Sequence, residues 1–489
     1  MTVETKSVIT DKQSIMVKKN NLSCALNLAE DSLDKILSLT ASCHGGECEI
    51  SGGEIIYGGS VTFNAVFSAE EINRVEAGAK FTFKAPLDED YSGAVADYSL
   101  SDVRVKNEGG MLYAVCDLIS RLKLVKNVET SVVTNADCLY KTERIATGEY
   151  RQAKSETVVD DEFSVKRIKR ALFSDAQAIV TSLKAGDGFI TVDGEVVLNV
   201  CLLPFSENSD ILKEVRNIPF RYEMDLDGAT EDSFLSAKAE VSKTSLKIFV
   251  DEEKDNSVVS AEIGVAVFAD AYSLSEIDCV SDAYSPSVVL ELKREPIERL
   301  TGVFTRFEDV RFRGQGLCKV PDYSRLNKTI GETIAGYSVR TEGNDLIVDG
   351  EIRADALFSD SDNVLSAKEL IVPISFSLEG AAGSEIAQLL LRSLNVRLKG
   401  GEIECEVSIK ASVIRREITT FSVVTGIEEG AEKAVNDSAI SVYIGKALDT
   451  EWDVIKALGE SAEKIAALNP DVVYPLSGGE RIVVFRNKK

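Results

Sequence analysis

The stretch "TVDGEVVLNVCLL", residues 191–203, sets a glycine beside a run of alternating apolar side chains. After Gly194, every second residue of the run is apolar: Val196, Leu198, Val200 and Leu202. Because side chains alternate between the two faces of a β-strand, this period of two predicts a strand with one buried face. A glycine at the start of such a strand is typical of a β-bulge or a tight turn.

The same pattern occurs twice more in the chain. "IYGGSVTFNAVFS" (residues 56–68) and "IVDGEIRADALFS" (residues 347–359) align with the first stretch at Gly59 and Gly350. Their alternating apolar residues are Val61, Phe63, Ala65 and Phe67, and Ile352, Ala354, Ala356 and Phe358. Repetition at this spacing indicates an array of similar modules and not one large enzyme core.

Each copy continues in the same order. A short apolar segment comes next, "FTFKAPL" at residue 81, "IPFRYEMDL" at 218 and "VPISFSLEG" at 372. Pro219 and Pro373 cannot donate a ladder hydrogen bond, so they predict strands that start or lie at a sheet edge. Paired strand-like runs then flank "NEGG", "DEEKDN" and "KGG", which are hairpin turn residues. We therefore predict three antiparallel β-rich repeat domains, sandwich or barrel-like, over residues 1–145, 146–300 and 301–425.

The sequence changes character after these repeats. Residues 426–439 are polar and rich in small residues, which is typical of a flexible linker. Residues 440–489 predict the order β-α-α-β, because two short helical patterns lie between the strands "ISVYI" and "RIVVF". Asp449 is expected to cap the first helix, Gly459 to end it, and Ser461 to cap the second helix.

Trp452 is the one tryptophan of the 489 residues. The first helix has an apolar face formed by Val454, Ile455 and Leu458. Trp452 falls three residues before Ile455 and is expected at the edge of this face. There a large amphipathic ring partly supports the core and partly faces a partner.

Composition excludes several classes of function. The chain has 80 acidic and 55 basic residues and a formal charge of -25, which repels phosphate backbones and disfavours a nucleic-acid partner. No run approaches the roughly 18 apolar residues of a membrane span, and no apolar signal segment opens the chain. A cytoplasmic protein is therefore expected. The 9 cysteines have irregular spacing, which predicts reduced thiols and no disulfide framework.

The chemistry-bearing motifs are sparse. In "CHGGEC", Cys43, His44 and Cys48 offer three zinc ligands, but no fourth ligand is evident and the spacing matches no common zinc motif. A structural role is expected for them, with a metal site as the alternative. The sequence has no phosphate-binding glycine loop and no nucleophile with a positioned base. Neither an enzyme nor a cofactor is therefore expected.

A basic cluster, "VKRIKRALF" from Val165, stands out in this acidic chain. Its cations are Lys166, Arg167, Lys169 and Arg170. Two interpretations stay open: a solvated face, or a surface that binds an acidic face of a partner or of another repeat copy.

The C-terminal segment resembles a LysM domain. The matching residues are Asp449, Thr450, Trp452, Val454, Asn469, Pro470, Pro475, Gly479 and Ile482. The resemblance implies a partner- or glycan-binding site formed by Leu448, Asp449, Thr450, Trp452, Asn469, Pro470, Asp471 and Gly479. Leu448 replaces the glycine usual in the family and Glu451 replaces a buried leucine. Both changes alter the sugar-binding groove and favour a protein partner.

The repeats resemble the SPOCS module of clostridial spore proteins, through "VDGEVVLNVCLL" with "IPF" and "VDGEIRADALFS" with "VPISF". In the first copy, Gly59-Ser60 stands where the pattern has Gly-Glu. Three such modules with a C-terminal LysM are similar to a family of clostridial spore-coat morphogenetic proteins. The resemblance implies a scaffold in the mother-cell cytoplasm, at the forespore surface or spore coat. It also implies that the LysM domain contacts the coat-basement morphogenetic ATPase.

The main alternative is a protein that binds peptidoglycan or N-acetylglucosamine of the cell wall or cortex through the LysM domain. An enzyme acting on cell wall has no support in the sequence. Export separates the first two functions, since peptidoglycan lies outside the membrane.

Overall fold

The computed structural model describes residues 2–69, 71–205, 210–251, 255–322, 324–362, 364–434 and 438–485. Within these residues the protein is mainly β, with six three-stranded antiparallel sheets, one two-stranded sheet and two α-helices near the C-terminal end. This confirms the predicted fold class, a set of β-rich repeats followed by a small helical element.

Six strands build each copy of the repeat. The first copy has β1 (Val3–Ala29), β2 (Ile36–Ser51), β3 (Glu54–Ser68), β4 (Ile72–Pro86), β5 (Gly93–Glu108) and β6 (Met111–Ala136), with a 3-10 helix at Glu30–Lys35. The second has β7 (Leu139–Lys166), β8 (Ile168–Ala185), β9 (Phe189–Pro204), β10 (Leu212–Asp225), β11 (Phe234–Asp251) and β12 (Asn256–Tyr284). The third has β13 (Val288–Gly316), β14 (Arg325–Glu342), β15 (Asp345–Ser359), β16 (Leu365–Leu378), β17 (Glu385–Lys399) and β18 (Glu402–Glu432).

All three copies share one topology. The first, sixth and fifth strands form one sheet in that order, and the second, third and fourth strands form the other. The sheets are open, so each copy is a two-layered sandwich and the barrel alternative is wrong. The alternating apolar residues of β3, β9 and β15 lie between the layers, where all are buried except the partly buried Phe67.

The three aligned glycines lie inside strands and not at their starts. Each is the sixth residue of its strand: Gly59 in β3, Gly194 in β9 and Gly350 in β15. The neighbouring second strand of each copy carries a β-bulge close to the glycine. The bulge brings a backbone carbonyl against the glycine, which leaves no room for a side chain. The pattern predicted the bulge correctly and its position wrongly.

Replacing Gly194 with alanine is expected to lower the free energy of unfolding by about 2 kcal/mol or more. The added methyl would collide with the Phe220 ring and lie 2.8 Å from the Ile179 carbonyl oxygen. Chemical denaturation measures the effect. Gly314→Ala is the matched control, since nothing lies within 4 Å of the added methyl there. Equal stability of the two variants would contradict the close-approach argument.

Two further sequence expectations concern the sheet edges and turns. Pro219 and Pro373 lie within β10 and β16, which are the edge strands of their sheets, as predicted for residues without an amide proton. The turns at Gly109-Gly110 and Gly400-Gly401 join the last two strands of copies one and three. Part of the "DEEKDN" tract, residues 252–254, lies outside the described residues.

The copy boundaries differ from those predicted. The copies occupy residues 3–136, 139–284 and 288–432, so the boundaries expected after residues 145, 300 and 425 all fall inside strands. The predicted linker at 426–439 therefore begins within β18. The reason is that the first and last strands of each copy continue beyond the third strand of their sheet. They do so through polar sequence that carries no clear alternation.

These continuations form three two-stranded ribbons, which we call the stem. They are residues 3–12 with 126–136, 139–149 with 273–284, and 288–304 with 415–432. Equivalent residues of the three ribbons meet in two buried clusters around a common axis. One cluster contains Val8, Val132, Ile145, Cys279, Ile297 and Val423, and the other contains Val133, Ala136, Val280, Ala283, Val424 and Ile427.

The inner sheets also meet around this axis. Val66, Cys201 and Leu357, each seven residues after the aligned glycine, share one buried cluster. Leu37, Leu172, Phe173, Ile211 and Ile330 complete it. The three copies thus form one body with approximate threefold symmetry, held by apolar contacts at both ends.

The C-terminal module has the predicted β-α-α-β order, with β19 (Ile440–Ile444), α1 (Glu451–Leu458), α2 (Ala462–Leu468) and β20 (Arg481–Phe485). Gly459 ends α1 with a φ of 66°, and Ser461 caps α2, as expected. The cap of α1 is Thr450 and not Asp449. Asp449 instead accepts hydrogen bonds from the Tyr443 hydroxyl at 2.5 Å and the Lys446 amide at 2.7 Å.

Candidate functional site

The C-terminal module is docked on the end of the stem. Trp452 is only 8% exposed, and Leu139 and Tyr284 of the second ribbon pack against its hydrophobic cluster. The indole Nε1 donates a hydrogen bond to Asp282 at 2.8 Å, and Lys456 Nζ lies 3.1 Å from the same carboxylate. The expectation that Trp452 partly faces an external partner is therefore wrong.

The segment before the module is also held in place. β18 extends to Glu432, and Lys433 donates from its amide to Ser287 O at 2.7 Å and from Nζ to Ser285 O at 2.9 Å. The expected flexible linker is wrong for residues 426–433. Residues 435–437 lie outside the described part of the chain.

Asp282 is the charged centre of the docking contact. Burial raises the pKa of this carboxyl, but hydrogen bonds from Trp452 and Lys456, together with the Lys456 charge, outweigh burial and hold the pKa below its ordinary value. A carboxyl with a lowered pKa contributes stability above its unfolded pKa and loses it as the pH falls through the folded pKa. The contact is therefore fully formed at neutral pH and weakens in acid.

Two loops of the module form the surface to which the sequence assigned binding. Leu448 N donates to Leu476 O at 2.8 Å, Leu476 N donates to Asp449 O at 2.9 Å, and so the loops pair with each other. Leu448 is 78% exposed with a φ of 73°, and Val473 is also 78% exposed. A leucine whose backbone lies in the left-handed region and whose side chain is exposed to solvent is unusual, and it marks this loop as a candidate functional surface.

The eight expected site residues divide into two groups. Leu448, Thr450, Pro470, Asp471 and Gly479 are exposed. Asp449, Trp452 and Asn469 serve the fold. The Asn469 Nδ2 donates to Ile465 O at 2.8 Å and Val483 O at 2.9 Å, while its Oδ1 accepts from Val483 N at 2.9 Å. Asn469 thus ties α2 to β20 and has little left for a ligand.

Thr450 and Asp449 are also engaged locally. The Thr450 hydroxyl and amide both donate to the Asp453 carboxylate, at 2.6 and 2.9 Å, in a reciprocal capping box. Asp449 raises the pKa of the Tyr443 hydroxyl to about 12 by accepting its hydrogen bond. The available surface is therefore Leu448, Pro470, Asp471, Gly479 and Val473. Val473 was missed, because nothing in the sequence separates it from the neighbouring Val472 and Leu476, which are less exposed.

The "CHGGEC" stretch lies in β2 and serves packing. Burial raises the pKa of Cys43 to about 12 and that of Cys48 to about 11, so both thiols stay protonated at neutral pH. Cys43 and Cys48 pack in different hydrophobic clusters, and His44 Nδ1 lies 2.9 Å from Val241 O of the second copy. Among the described residues, no three His, Cys, Asp or Glu side chains are placed to hold a metal ion.

Open grooves lie between neighbouring copies. A groove of about 570 Å³ between copies one and two includes His44 and the exposed Val158. A groove of about 860 Å³ between copies two and three includes Phe234 and Phe304, whose ring centroids are 6.1 Å apart. Both grooves mix apolar and charged side chains.

The basic cluster joins two copies of the repeat. Lys169 Nζ and Arg170 Nη2 each lie 2.6 Å from the Glu71 carboxylate of copy one. Arg167 stacks on the Phe205 ring at 4.4 Å. Lys169 and Arg170 therefore follow the second interpretation of this cluster, in which it contacts an acidic residue of another repeat copy.

Buried charges occupy the junction of the three copies. Lys213 of copy two pairs with Glu332 of copy three, and both side chains are nearly inaccessible. Ser38 of copy one donates to Asp355 of copy three at 2.6 Å. Burial first, then the charges of Glu369 and Glu332, raise the pKa of Asp355 to about 6 despite this hydrogen bond.

Asp355→Asn is expected to stabilise the protein by about 2 kcal/mol at pH 8 and to have little effect near pH 4. A carboxyl whose pKa is raised by folding stabilises the folded state fully at a pH below its unfolded pKa. For Asp355 this stabilisation is lost as the pH rises through about 6. The amide oxygen keeps the acceptor for Ser38 without the buried charge. Thermal unfolding of both proteins across this pH range measures the difference. A pH-independent difference would contradict the buried-charge argument.

No known protein-family model matches the chain, and no curated protein is similar to it at a significant level. Among the helices of the described residues, none has the length and apolar character needed to cross a membrane.

Proposed function

We propose that the protein is a non-enzymatic scaffold of spore-envelope assembly, similar to the SipL type of clostridial spore-coat morphogenetic proteins. In this proposal the three copies are SPOCS-like modules and the C-terminal module is LysM-like. The scaffold works in the mother-cell cytoplasm and tethers the coat to the forespore by contacting the coat-basement morphogenetic ATPase. The observation that carries the proposal is a single topology repeated three times and followed by a β-α-α-β module.

The surface proposed for the partner is the exposed loop pair with Leu448 and Val473. Two large apolar side chains in solvent beside Pro470 and Gly479 give a protein partner apolar anchors. The exposed Glu451 and Leu448 disfavour the close approach of a sugar ring. Because Trp452 is buried against the stem, it supports the position of these loops and does not itself contact the partner.

Leu448→Glu is expected to weaken capture of the coat-basement ATPase at least tenfold, because a charge replaces an apolar anchor. The measurement is affinity for the purified ATPase, together with a pull-down from sporulating cells. A chain ending at Glu432 should lose binding completely. Phe249→Glu, at a 58% exposed site in the second copy, is the matched control and should bind normally.

The second candidate function is peptidoglycan binding, which the exposure of Leu448, Pro470, Asp471 and Gly479 on paired loops also supports. Sedimentation with purified peptidoglycan separates the two functions. Unchanged ATPase affinity of Leu448→Glu with lost peptidoglycan binding would assign the loops to glycan and contradict the scaffold proposal.

A further inference from the structure

The outer face of the two-stranded sheet β19–β20 is apolar and exposed. Ile440, Val442, Ile444 and Phe485 are 55%, 54%, 64% and 54% exposed. The opposite face carries Ile482 and Val484, which are buried beneath the helices. We call the exposed residues, together with Val483 and Arg481, the outer face. Isolated apolar residues are common on surfaces, but a contiguous set on one small sheet indicates an interaction site.

Docking on the stem does not cover the outer face. α1 packs on the inner side of the sheet, and its Trp452 and Lys456 reach the stem through Asp282. The exposed fractions belong to the docked module, so the face is accessible while the docking contact is formed.

The composition of the outer face is self-complementary. Its cross-strand pairs are Ile440 with Phe485, Val442 with Val483, and Ile444 with Arg481. A twofold axis through the central valine pair would lay Ile440 and Phe485 of one sheet over Ile444 and Arg481 of another. Arg481 would then stack on the Phe485 ring of the second molecule, a favourable cation–π contact.

Charge also favours this arrangement. The chain carries a net charge of -25, so most approaches between two copies meet like charges. The outer face has apolar side chains and one cation, and it holds no carboxylate. It is thus a place where two copies approach without placing carboxylates against each other.

We propose that the outer face is a self-association surface, where a second copy of this chain packs sheet against sheet about a twofold axis. Two packed sheets lie about 10 Å apart with interdigitated side chains. Six residues per side make a patch near the lower limit of about 1,000 Å² for a specific interface. The dimer is therefore weak, with a Kd on the order of 10 μM, and forms where the protein is concentrated.

Sedimentation velocity of the full chain over a range of concentrations tests the proposal. The wild type is expected to shift from monomer to dimer, and Val442→Glu is expected to stay monomeric. Arg481→Glu should weaken the dimer at least fivefold by placing a carboxylate over Phe485. Ile15→Glu, at a 64% exposed site on β1, is the matched control and should dimerise like the wild type.

Val442 is exposed, so its substitution should leave the fold intact, and the emission of Trp452 verifies this. A wild type that stays monomeric, or a dimer unaffected by Val442→Glu, overturns the proposal. A monomeric wild type whose affinity for the coat-basement ATPase falls on Val442→Glu substitution would assign the outer face to that partner instead. The affinity of Leu448→Glu for the ATPase tests the proposed function, whereas the monomer–dimer shift tests the outer face. The two proposals can therefore fail separately.

Discussion

Lys213→Met is expected to lower the free energy of unfolding by about 3–5 kcal/mol. Lys213 and Glu332 form an ion pair between copies two and three, with side chains only 12% and 4% exposed. Removing the cation leaves a carboxylate buried without its partner, which costs far more than the pair itself contributes. Chemical denaturation at neutral pH measures the loss.

The control for this experiment is an exposed ion pair. Arg340 lies 2.6 Å from Glu342 and 3.1 Å from Asp349, and all three side chains are at least 40% exposed, so Arg340→Met should change stability by less than about 1 kcal/mol. The double variant Lys213→Met with Glu332→Gln should recover most of the stability, because no unpaired charge remains. If the double variant is as unstable as Lys213→Met, burial of an unpaired charge is not the cause.

Trp452→Ala is expected to destabilise the C-terminal module by about 3 kcal/mol and to release it from the stem. The ring is 8% exposed and belongs to the buried cluster of its module, against which Leu139 and Tyr284 of the stem pack. Thermal unfolding and protease sensitivity of residues 438–485 measure the two effects.

Asp282→Ala separates docking from folding. It removes the acceptor of the Trp452 indole and the partner of Lys456, and hydrogen bonds to charged groups contribute about 1.5–3 kcal/mol. The module should stay folded but undock, and the emission of its single tryptophan should move to longer wavelength. Asp278→Ala is the matched control, because it removes a 62% exposed carboxylate of the same ribbon and should leave the emission unchanged. Unchanged emission of Asp282→Ala would contradict the docking contact.

The local features of the fold could be predicted from the sequence. The alternation after Gly194 fixes which side chains lie between the layers, since the period of a strand is independent of its neighbours. The end of α1 at Gly459 and the cap at Ser461 follow from residues within one turn of helix. The N-cap of α1 could not be predicted in this way. Tyr443 and Lys446 donate hydrogen bonds to the Asp449 carboxylate, so Thr450 caps the helix instead.

The arrangement of the copies could not be predicted from local patterns. Val132, Cys279 and Val423 meet in the stem although they lie far apart in sequence, and the short apolar stretch around each of them does not indicate which residues it contacts. The docking of Trp452 on Asp282 likewise joins residues 170 positions apart. The expected site at the loop pair was only partly correct for the same reason, since the burial of Trp452 depends on the stem.

The stem gives the molecule two distinct poles. Both connections between copies, at 136–139 and 284–288, and the C-terminal module meet at one pole, while the hairpin turns at Gly109-Gly110 and Gly400-Gly401 lie toward the other. β18 has 31 residues, and at roughly 3.3 Å per residue it spans at most about 100 Å. Structures attached at the two poles would be held apart by a distance that strand length sets.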